Sequence, residues 1–463
     1  HDPQVLEALL KEHERSPFAD LLLYRLSLKL RGRGQSAQAQ PYLEALVRNF
    51  PKSPFYADAL KQLTAPPAAS PSSSTVIGVL LPTTGKLAKY GAKSLQGIEL
   101  AFELFNSTAK DSRFQLVIED SGEDPETALL ALERLVNEHQ VSAVIGPLLS
   151  KGAERVAQKA QDFRIPLISL ARKTTPPNDF VFQSGLTQQL QAAEIARHAL
   201  ESLKLKRFAI LYPDDKMGLE QAHAFWDAVE SQGGQVMAIE SYPPGETDFR
   251  KPVDRLVGLH YLDARQRELD ALAQQREANG IKKRTRKTEQ FYDLKPIVDF
   301  EAVFIPDEPK VAGQIFPTFS YRDVDQMKFL GTSSWNSPDF LNRVQNYGEL
   351  CSWVDSFSQG STLASLSSFK DLYQATFHQE PTSLEATAYD AALILKSTLE
   401  DSSPGVSPEE LKGKLMKVKN FPGVSGPITY QSGQYKRPLL FLTIQNGHFT
   451  EFRPELTQKE NSR

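Results

Sequence analysis

Short apolar runs alternate with amphipathic helical segments between residues 75 and 169. Apolar runs of this length, separated by helices, are typical of strands in a parallel sheet that is covered on both faces. The turns at the carboxyl ends of such strands line the ligand crevice of the domain. The sequence therefore predicts an α/β domain whose functional site lies at four turns: residues 81–85, 120–124, 147–150 and 169–173.

A second alternating set of strands and helices follows the first. Helices are predicted at 187–203 and 219–232, and strands are predicted at 208–212 and 236–242. Strand patterns resume at residue 300 and close the chain with a hairpin turn at Gln445–His448. The repeated alternation indicates a second α/β unit of the same kind.

The second set is interrupted by residues 263–295, which are charged and almost free of large apolar side chains. The basic run 282–287 lies at the centre of this charged segment. A run of this kind could bind an anionic polymer or lipid head groups, or it could be a solvated helix or loop. We predict that this segment protrudes and contacts a partner.

Residues 1–64 predict helices only, and residues 65–74 are a linker rich in proline, serine and alanine. The stretch 39–54 resembles the second helix and exit turn of a tetratricopeptide repeat. Two helix pairs are few for a free-standing repeat array. We therefore expect this all-α module to lean on the next domain or to have lost upstream repeats.

Length and composition limit the function classes. A chain of 463 residues is too long for one ordinary core, so two or three domains are expected. The net charge of −4 provides no drive toward nucleic acid, and no apolar run is long enough to span a bilayer. The single cysteine, Cys351, excludes an intrachain disulfide. Because the chain begins at His1, we expect a leader to have been removed, with a lipid anchor upstream of His1 as one option.

The motifs of the common nucleotide-binding and hydrolytic sites are absent from the sequence. No Gly-x-Ser-x-Gly elbow or Walker loop occurs, and no Gly-x-Gly-x-x-Gly fingerprint follows the strand 75–81. The eight histidines show no spacing typical of metal ligands. We therefore predict a protein that is not an enzyme, with no catalytic residues, metal or cofactor.

Eight short motifs occur in an order that resembles the type I periplasmic binding proteins, in particular the leucine/isoleucine/valine receptor group. They are Ile77–Gly85 with Tyr90 and Gly97, Asp120 with Asp124–Glu126, Val144–Ser150, Ile165–Ser169, Ala209–Asp215, Glu246–Phe249, Leu330–Thr332 and Gly423–Tyr430. The resemblance implies two Rossmann-like lobes with parallel-core sheets, joined by three crossovers and closing on a ligand by hinge motion. It places the crossovers near Leu186, Ser356 and Pro427.

The implied domains follow from those crossovers. Lobe 1 comprises residues 75–186 and 356–426, and lobe 2 comprises 187–355 and 427–455, followed by a tail at 456–463. A narrower resemblance is also present. The helical repeats, together with the segment 301–317 leading to Gly331–Asn336, are similar to penicillin-binding-protein activator lipoproteins, which are anchored in the outer membrane and stimulate peptidoglycan synthases.

The resemblance implies that a ligand carboxylate is held after the third and fourth strands of lobe 1. Ser150 fits the first position, although it could equally be a helix N-cap. After Ser169 the family has a small residue and a hydroxyl, where this chain has Leu170–Lys173. Arg172 and Lys173 could therefore pair with an anionic ligand or be solvated loop charges.

The family's acids for a ligand ammonium group are replaced here by Thr187 and Ser333. Asp307 and Glu308 are candidate substitutes, with a surface turn as the alternative, because a desolvated ammonium group needs a carboxylate. Aromatic residues at strand ends could wall the cleft or pack in the core. The full predicted ligand-binding set is Thr84, Tyr90, Ser150, Ser169, Ala171, Arg172, Thr187, Tyr212, Asp307, Ser333 and Trp335.

The function that the resemblance implies is that of a periplasmic, non-enzymatic binding protein. It would hold an amino acid or similar small polar molecule in the cleft, for transport or sensing, with a membrane transporter as partner. The alternative is an outer-membrane-anchored activator that contacts a peptidoglycan synthase and has a degenerate cleft. Neither hypothesis involves nucleic acid.

Overall fold

The computed structural model describes residues 3–12, 16, 18–32, 36–64, 75–104, 113–173, 178–279, 294–403 and 405–452. Four helices come first, and two sheets flanked by helices follow. No helix within these ranges is both long enough and apolar enough to cross a membrane. The basic run 282–287 lies outside the described residues, so its predicted contact with a partner stays a prediction.

The N-terminal module consists of α1 (Pro3–Glu12), α2 (Ala19–Gly32), α3 (Ser36–Asn49) and α4 (Tyr56–Thr64). Each helix packs against the next one in the chain. The cores between them are small, and each centres on four fully buried residues. The ring of Tyr24 stacks on that of Phe55 at 4.7 Å, which holds α2 against the segment leading into α4.

The first pass through lobe 1 alternates strands and helices as predicted. The elements are β1 (Thr75–Leu81), α5 (Ala88–Ala101), β2 (Phe114–Asp120), α6 (Pro125–Asn137), β3 (Ala143–Ile145), α7 (Ala153–Phe163), β4 (Leu167–Ser169) and β5 (Val181–Gln183). These five strands pair in parallel, in the order β5-β4-β3-β1-β2. Most side chains of β1, β3, β4 and β5 are buried beneath helices on both faces of the sheet, which explains their unbroken apolar runs, whereas the edge strand β2 is only partly buried.

Lobe 2 repeats the pattern and carries the charged insertion. Its elements are α8 (Gln188–Glu201), β6 (Arg207–Pro213), α9 (Lys216–Ser231), β7 (Gln235–Tyr242), α10 (Arg250–Leu256), α11 (Gln266–Ala278), β8 (Ala302–Phe304), α12 (Pro309–Ser320), β9 (Lys328–Gly331), α13 (Pro338–Val344) and β10 (Cys351–Asp355). Helix α11 forms most of the described part of the insertion, and none of its residues is buried.

The chain then returns to lobe 1 and crosses once more. Lobe 1 receives α14 (Ala364–Phe377), α15 (Ser383–Glu400), α16 (Pro408–Leu415), β11 (Phe421–Gly423), β12 (Gly426–Gln431) and β13 (Gln434–Lys436), and lobe 2 receives β14 (Leu440–Gln445) and β15 (His448–Glu451). The lobe-2 sheet has the order β15-β14-β10-β9-β8-β6-β7. The predicted α/β architecture of two lobes with parallel-core sheets is therefore confirmed.

The predicted position of the third crossover is wrong. Residues 427–436 were expected in lobe 2, but β12 and β13 form a hairpin that extends the lobe-1 sheet, and Gln434 pairs with Gln183 of β5. Ile428 and Tyr435 are buried in the lobe-1 core. The chain therefore passes to lobe 2 at residues 437–439, about ten residues later than expected. A strand's local pattern does not specify which sheet it joins, because the pairing partner is remote in sequence.

Candidate functional site

The carboxyl ends of the parallel strands carry polar turns in both lobes. In lobe 1, Asp120 at the end of β2 accepts hydrogen bonds from the Thr84 hydroxyl at 2.5 Å and from the backbone N–H groups of Thr83 and Gly122 at 2.8 and 3.0 Å. Burial opposes ionisation of Asp120, but these hydrogen bonds outweigh it and lower the pKa of that carboxyl. Thr84, predicted to bind ligand, lies in the turn that joins β1 to α5, and its hydroxyl is bonded to the end of β2.

The predicted ligand-binding residues after β3 and β4 include Ser150, Ser169 and Ala171. The N-cap of α7 is Gly152, so the alternative that Ser150 caps this helix is wrong. Ser169 is fully buried, and its hydroxyl accepts from the N–H of Ala171. The carbonyl of Ala171 accepts from the side-chain amide of Gln183 at 2.5 Å. Ser169 and Ala171 therefore fasten the turn after β4 to the neighbouring strand β5, and neither side chain lines a described cavity.

Arg172 is the residue of this turn that reaches the space between the lobes. Its carbonyl accepts from the N–H of Gln188 at 3.0 Å, which links the turn to the first turn of α8 in lobe 2. Its exposed guanidinium lines both described cavities at the cleft and has no hydrogen-bond partner among the described residues. The neighbouring Lys173 instead pairs with Glu154 of α7, with Nζ and the carboxylate 3.2 Å apart.

A buried carboxyl group lies beside Arg172 where the chain leaves lobe 2. Asp355, the last residue of β10, accepts hydrogen bonds from the Asn336 side chain at 2.8 Å and from the Ser356 N–H at 2.6 Å. Burial raises the pKa of Asp355 to about 6, although the bond from Asn336 and the positive charge of Arg172 oppose the rise. This carboxyl ends β10 directly before the second crossover and lines the smaller of the two cavities.

The lobe-2 wall of the cleft contains two close carboxylates. Asp307, after β8, accepts from the Tyr242 hydroxyl at 2.7 Å. Asp215 caps α9 by accepting from the N–H of Gly218 at 2.8 Å. Burial raises the pKa of Asp307, the nearby negative charge of Asp215 adds to the rise, and the bond from Tyr242 opposes it. Both carboxylates line a cavity of about 450 Å³.

Thr187 and Ser333 stand where the resemblance led us to expect acids. Thr187 is buried and caps α8, because its hydroxyl accepts from the N–H of Leu190 at 3.3 Å. The N–H of Ser333 donates to the Gln191 side chain at 2.8 Å, which joins the turn after β9 to α8. The Ser333 hydroxyl lines the smaller cavity and makes no hydrogen bond within the described ranges.

The three predicted aromatic residues do not wall the cleft. Trp335 is fully buried in the lobe-2 core, where it stacks on Phe340 at 4.7 Å, and its indole N–H donates to the carbonyl of Asp307. Tyr212 packs partly buried against the lobe-2 core. Tyr90 is 42% exposed near the start of α5 and lines neither described cavity. For Trp335 and Tyr212, the alternative of core packing is the one that applies.

Sequence reasoning missed several cleft residues. Asp215, Asp355, Gln191 and Ser383 line the two cavities but are not among the predicted ligand-binding residues. The one usable indication was the position of Asp355, an acid that ends an apolar strand beside the predicted crossover at Ser356. Within the described ranges, no group of three or more histidine, cysteine or acidic side chains could hold a metal ion.

Two lobes whose polar strand ends face a shared cleft define the class of the molecule: residues 75–452 have the fold of the type I periplasmic binding proteins. Residues 74–260 match the family model described as periplasmic binding protein. In sequence, the chain is similar to the Leu/Ile/Val-binding protein of Escherichia coli (strain K12), with 25% identity over 217 residues. That match covers 45% of this chain and 58% of the relative, so the chain spans little more than half the length of that relative.

Solved structures show the same fold over most of the chain. The substrate-binding protein LivJ from Streptococcus pneumoniae, in complex with isoleucine, aligns with a TM-score of 0.59 and 22% identity, covering 81% of this chain and 97% of that one. A substrate-binding protein of an ABC transporter from Sphaerobacter thermophilus aligns with a TM-score of 0.64 and 19% identity, covering 82% and 96%. The resemblance to synthase activators stays a hypothesis.

Proposed function

We propose that this protein binds a small polar molecule, such as an amino acid, in the cleft between its lobes and releases it unchanged. The observation that carries this proposal is the cavity of about 450 Å³ at the cleft. Lobe 2 provides most of its lining, and Arg172 extends into it from the turn after β4 of lobe 1. A cavity lined from both sides of a hinge is suited to a ligand that draws the lobes together.

The crossovers support a hinge at this position. The chain passes between the lobes at residues 184–187, 356–363 and 437–439. Near the cavity, the N–H of Gln188 in lobe 2 donates to the carbonyl of Arg172 in lobe 1. A ligand that contacts both lobes would therefore add interlobal bonds and favour a closed state.

Binding without chemistry is the simplest function for this lining. The described residues around the two cavities include neither histidine nor cysteine. The described lining therefore offers no histidine of the kind that activates a serine hydroxyl for attack, and its buried carboxyl Asp355 is bonded to the Ser383 hydroxyl. Hydroxyls, amides and separated charges can instead fix the orientation of a polar ligand.

The similar proteins suggest where the binding takes place. Several are described as substrate-binding proteins of ABC transporters, including one from Desulfitobacterium hafniense in complex with leucine. By this likeness we propose a periplasmic location and delivery of the ligand to a membrane transporter or a sensor. A lipid anchor upstream of His1 belongs to the same proposal.

Isothermal titration calorimetry of the full chain against the twenty common amino acids tests the proposal. We expect at least one to bind with a dissociation constant in the micromolar range or tighter. Arg172→Gln should weaken that binding about tenfold or more, since a charged hydrogen bond contributes about 1.5–3 kcal/mol. Lys173→Gln is the matched control, because Lys173 pairs with Glu154 rather than lining the cavity. If no amino acid binds, the proposal fails.

A second candidate function, activation of a peptidoglycan synthase by protein contact, is favoured by the helical module at residues 3–64. Packed helix pairs of this kind form protein-binding surfaces in repeat proteins. Surface plasmon resonance with a purified penicillin-binding protein tests this alternative. Binding by the full chain that is lost on removal of residues 1–64, with no amino-acid binding, would favour the activator.

A further inference from the structure

The lining of the cleft is divided by charge along its length. Toward the hinge lie Arg172 and the Ser333 hydroxyl, and both line the smaller cavity. Arg172 also lines the larger cavity, so the two spaces adjoin at its guanidinium. On the lobe-2 wall of the larger cavity lie Asp215 and Asp307. A ligand occupying both spaces would therefore meet a cation at one end and paired carboxylates at the other.

The hinge end has two hydrogen-bond donors available. The Arg172 guanidinium has no hydrogen-bonded partner in the part of the chain that the structure describes. Ser333 is only 7% exposed, and its hydroxyl likewise makes no hydrogen bond to a described residue. Neither donor would give up a bond to a described residue on meeting a ligand, so an acceptor brought by a ligand would stabilise this end by adding hydrogen bonds. A carboxylate accepts from a guanidinium and a hydroxyl together, and the two donors come from different lobes.

The lobe-2 wall favours a positive group. Asp307 is held by bonds from the Tyr242 hydroxyl and from the N–H of Glu308 at 2.6 Å, so its carboxylate is fixed in place before a ligand arrives. Burial raises the pKa of Asp307, and the negative charge of Asp215, which lines the same cavity, adds to the rise. A ligand ammonium or guanidinium placed between them would offset that negative charge.

The total charge of the lining favours a ligand with a net positive charge over a neutral zwitterion. Four carboxylates (Asp215, Glu246, Asp307 and Glu308) and two cations (Arg172 and Lys310) line the larger cavity, which leaves a net charge of −2. The carboxyl of Asp355, beside Arg172, adds further negative charge at the hinge end. A neutral zwitterion would leave this excess uncompensated, whereas a ligand with one further positive charge reduces it. Pro306, Val311 and Met217 provide apolar surface for an aliphatic stem.

We propose that the cleft selects a basic amino acid, or a compound with the same charge pattern, whose carboxylate meets Arg172 and Ser333 and whose side-chain cation lies between Asp215 and Asp307. This inference rests on the proposed function, since it identifies the class of molecule that the cleft takes.

Titration with L-lysine and with L-norleucine tests the inference, because the two have the same stem and differ by the side-chain ammonium group. We expect the full chain to bind lysine at least tenfold more tightly than norleucine. Asp307→Asn and Asp215→Asn should each remove most of that preference. Asp214→Asn is the matched control, since Asp214 is exposed beside Asp215 and does not line the cavity. Thermal unfolding of each variant verifies that it folds.

The outcomes separate this inference from the proposed function. If norleucine or leucine binds as tightly as lysine, the cleft binds amino acids but the inference is wrong. Tighter binding of glutamate than of lysine overturns it in the same way. If no amino acid binds, both fail together. A lysine preference that survives Asp307→Asn and Asp215→Asn together would show that other groups select the cation, which also overturns the inference.

Discussion

A buried ion pair connects two of the three crossovers to lobe 1. Arg437, in the third crossover, places Nη1 3.0 Å from the Asp390 carboxylate of α15, and the two side chains are only 5% and 1% exposed. Its other terminal nitrogen donates to the hydroxyl of Ser184, in the first crossover, at 2.9 Å. Asp390 also accepts from the N–H of Val424 at 2.9 Å. We predict that Arg437→Met destabilises the protein severely.

The magnitude follows from what the substitution leaves behind. Without Arg437, the Asp390 carboxylate stays buried with a single hydrogen bond from Val424, and an uncompensated buried charge of this kind costs about 3–5 kcal/mol. The double variant Arg437→Met with Asp390→Leu removes both charges. It should recover most of the loss, because apolar replacement of a whole buried pair is often close to neutral. The double variant should still be less stable than the original protein by about 1–3 kcal/mol, because the N–H of Val424 is left without its acceptor.

Urea unfolding of the full chain, followed by circular dichroism, measures these free energies. Lys436→Met is the matched control, because Lys436 is the neighbouring cation and is exposed to solvent. Hydrogen exchange at residues 184–187 and 437–439 reports whether the crossovers loosen before the lobes unfold. A loss below about 1 kcal/mol for Arg437→Met, or a double variant no more stable than the single one, would refute the reasoning.

Two further predictions concern stability. His198 is fully buried between Phe441 and Phe452, and burial lowers its pKa from 6.5 to about 3. The folded protein therefore resists protonation of His198, and its free energy of unfolding is unaffected by this group above pH 6.5 but falls at lower pH. At pH 5 the loss should be about 2 kcal/mol. Melting temperatures between pH 7 and 4.5 measure this loss, and an unchanged slope in His198→Phe would contradict it. At Gly97 a Cβ would come within 2.3 Å of the Glu385 carbonyl oxygen, so Gly97→Ala should lower the free energy of unfolding by about 1–3 kcal/mol. The open Gly413 is its control, and equal melting temperatures for the two alanine variants would disprove the clash.

The architecture could be predicted because its cause is local. The runs 75–81 and 141–146 are apolar on both faces, and the helices between such runs have one apolar face. The pattern within each segment therefore shows which of its faces are buried. The order of motifs along the chain identified the two-lobed fold. The helical module and the position of Asp307 beside the cleft were also accessible to this reasoning.

The roles of individual cleft residues were less accessible. Ser169 and Ala171 were predicted to bind ligand, yet their polar groups bond within lobe 1. Trp335 resembled a cleft aromatic, but the indole lies in the core. A residue's position in a motif predicts the turn on which it lies, whereas the direction of its side chain depends on neighbours that the motif does not include.

The sequence by itself determined the helices, the strands and the edge of each sheet at which a site would form, since periodicity and turn residues act over a few positions. Only the tertiary structure decided that β12 and β13 belong to lobe 1, and that Arg172 adjoins Asp355 while Asp215 adjoins Asp307. The physical reason is that strand pairing, burial and charge interaction depend on distances in space. These residues are separated by about ninety to more than two hundred positions along the chain.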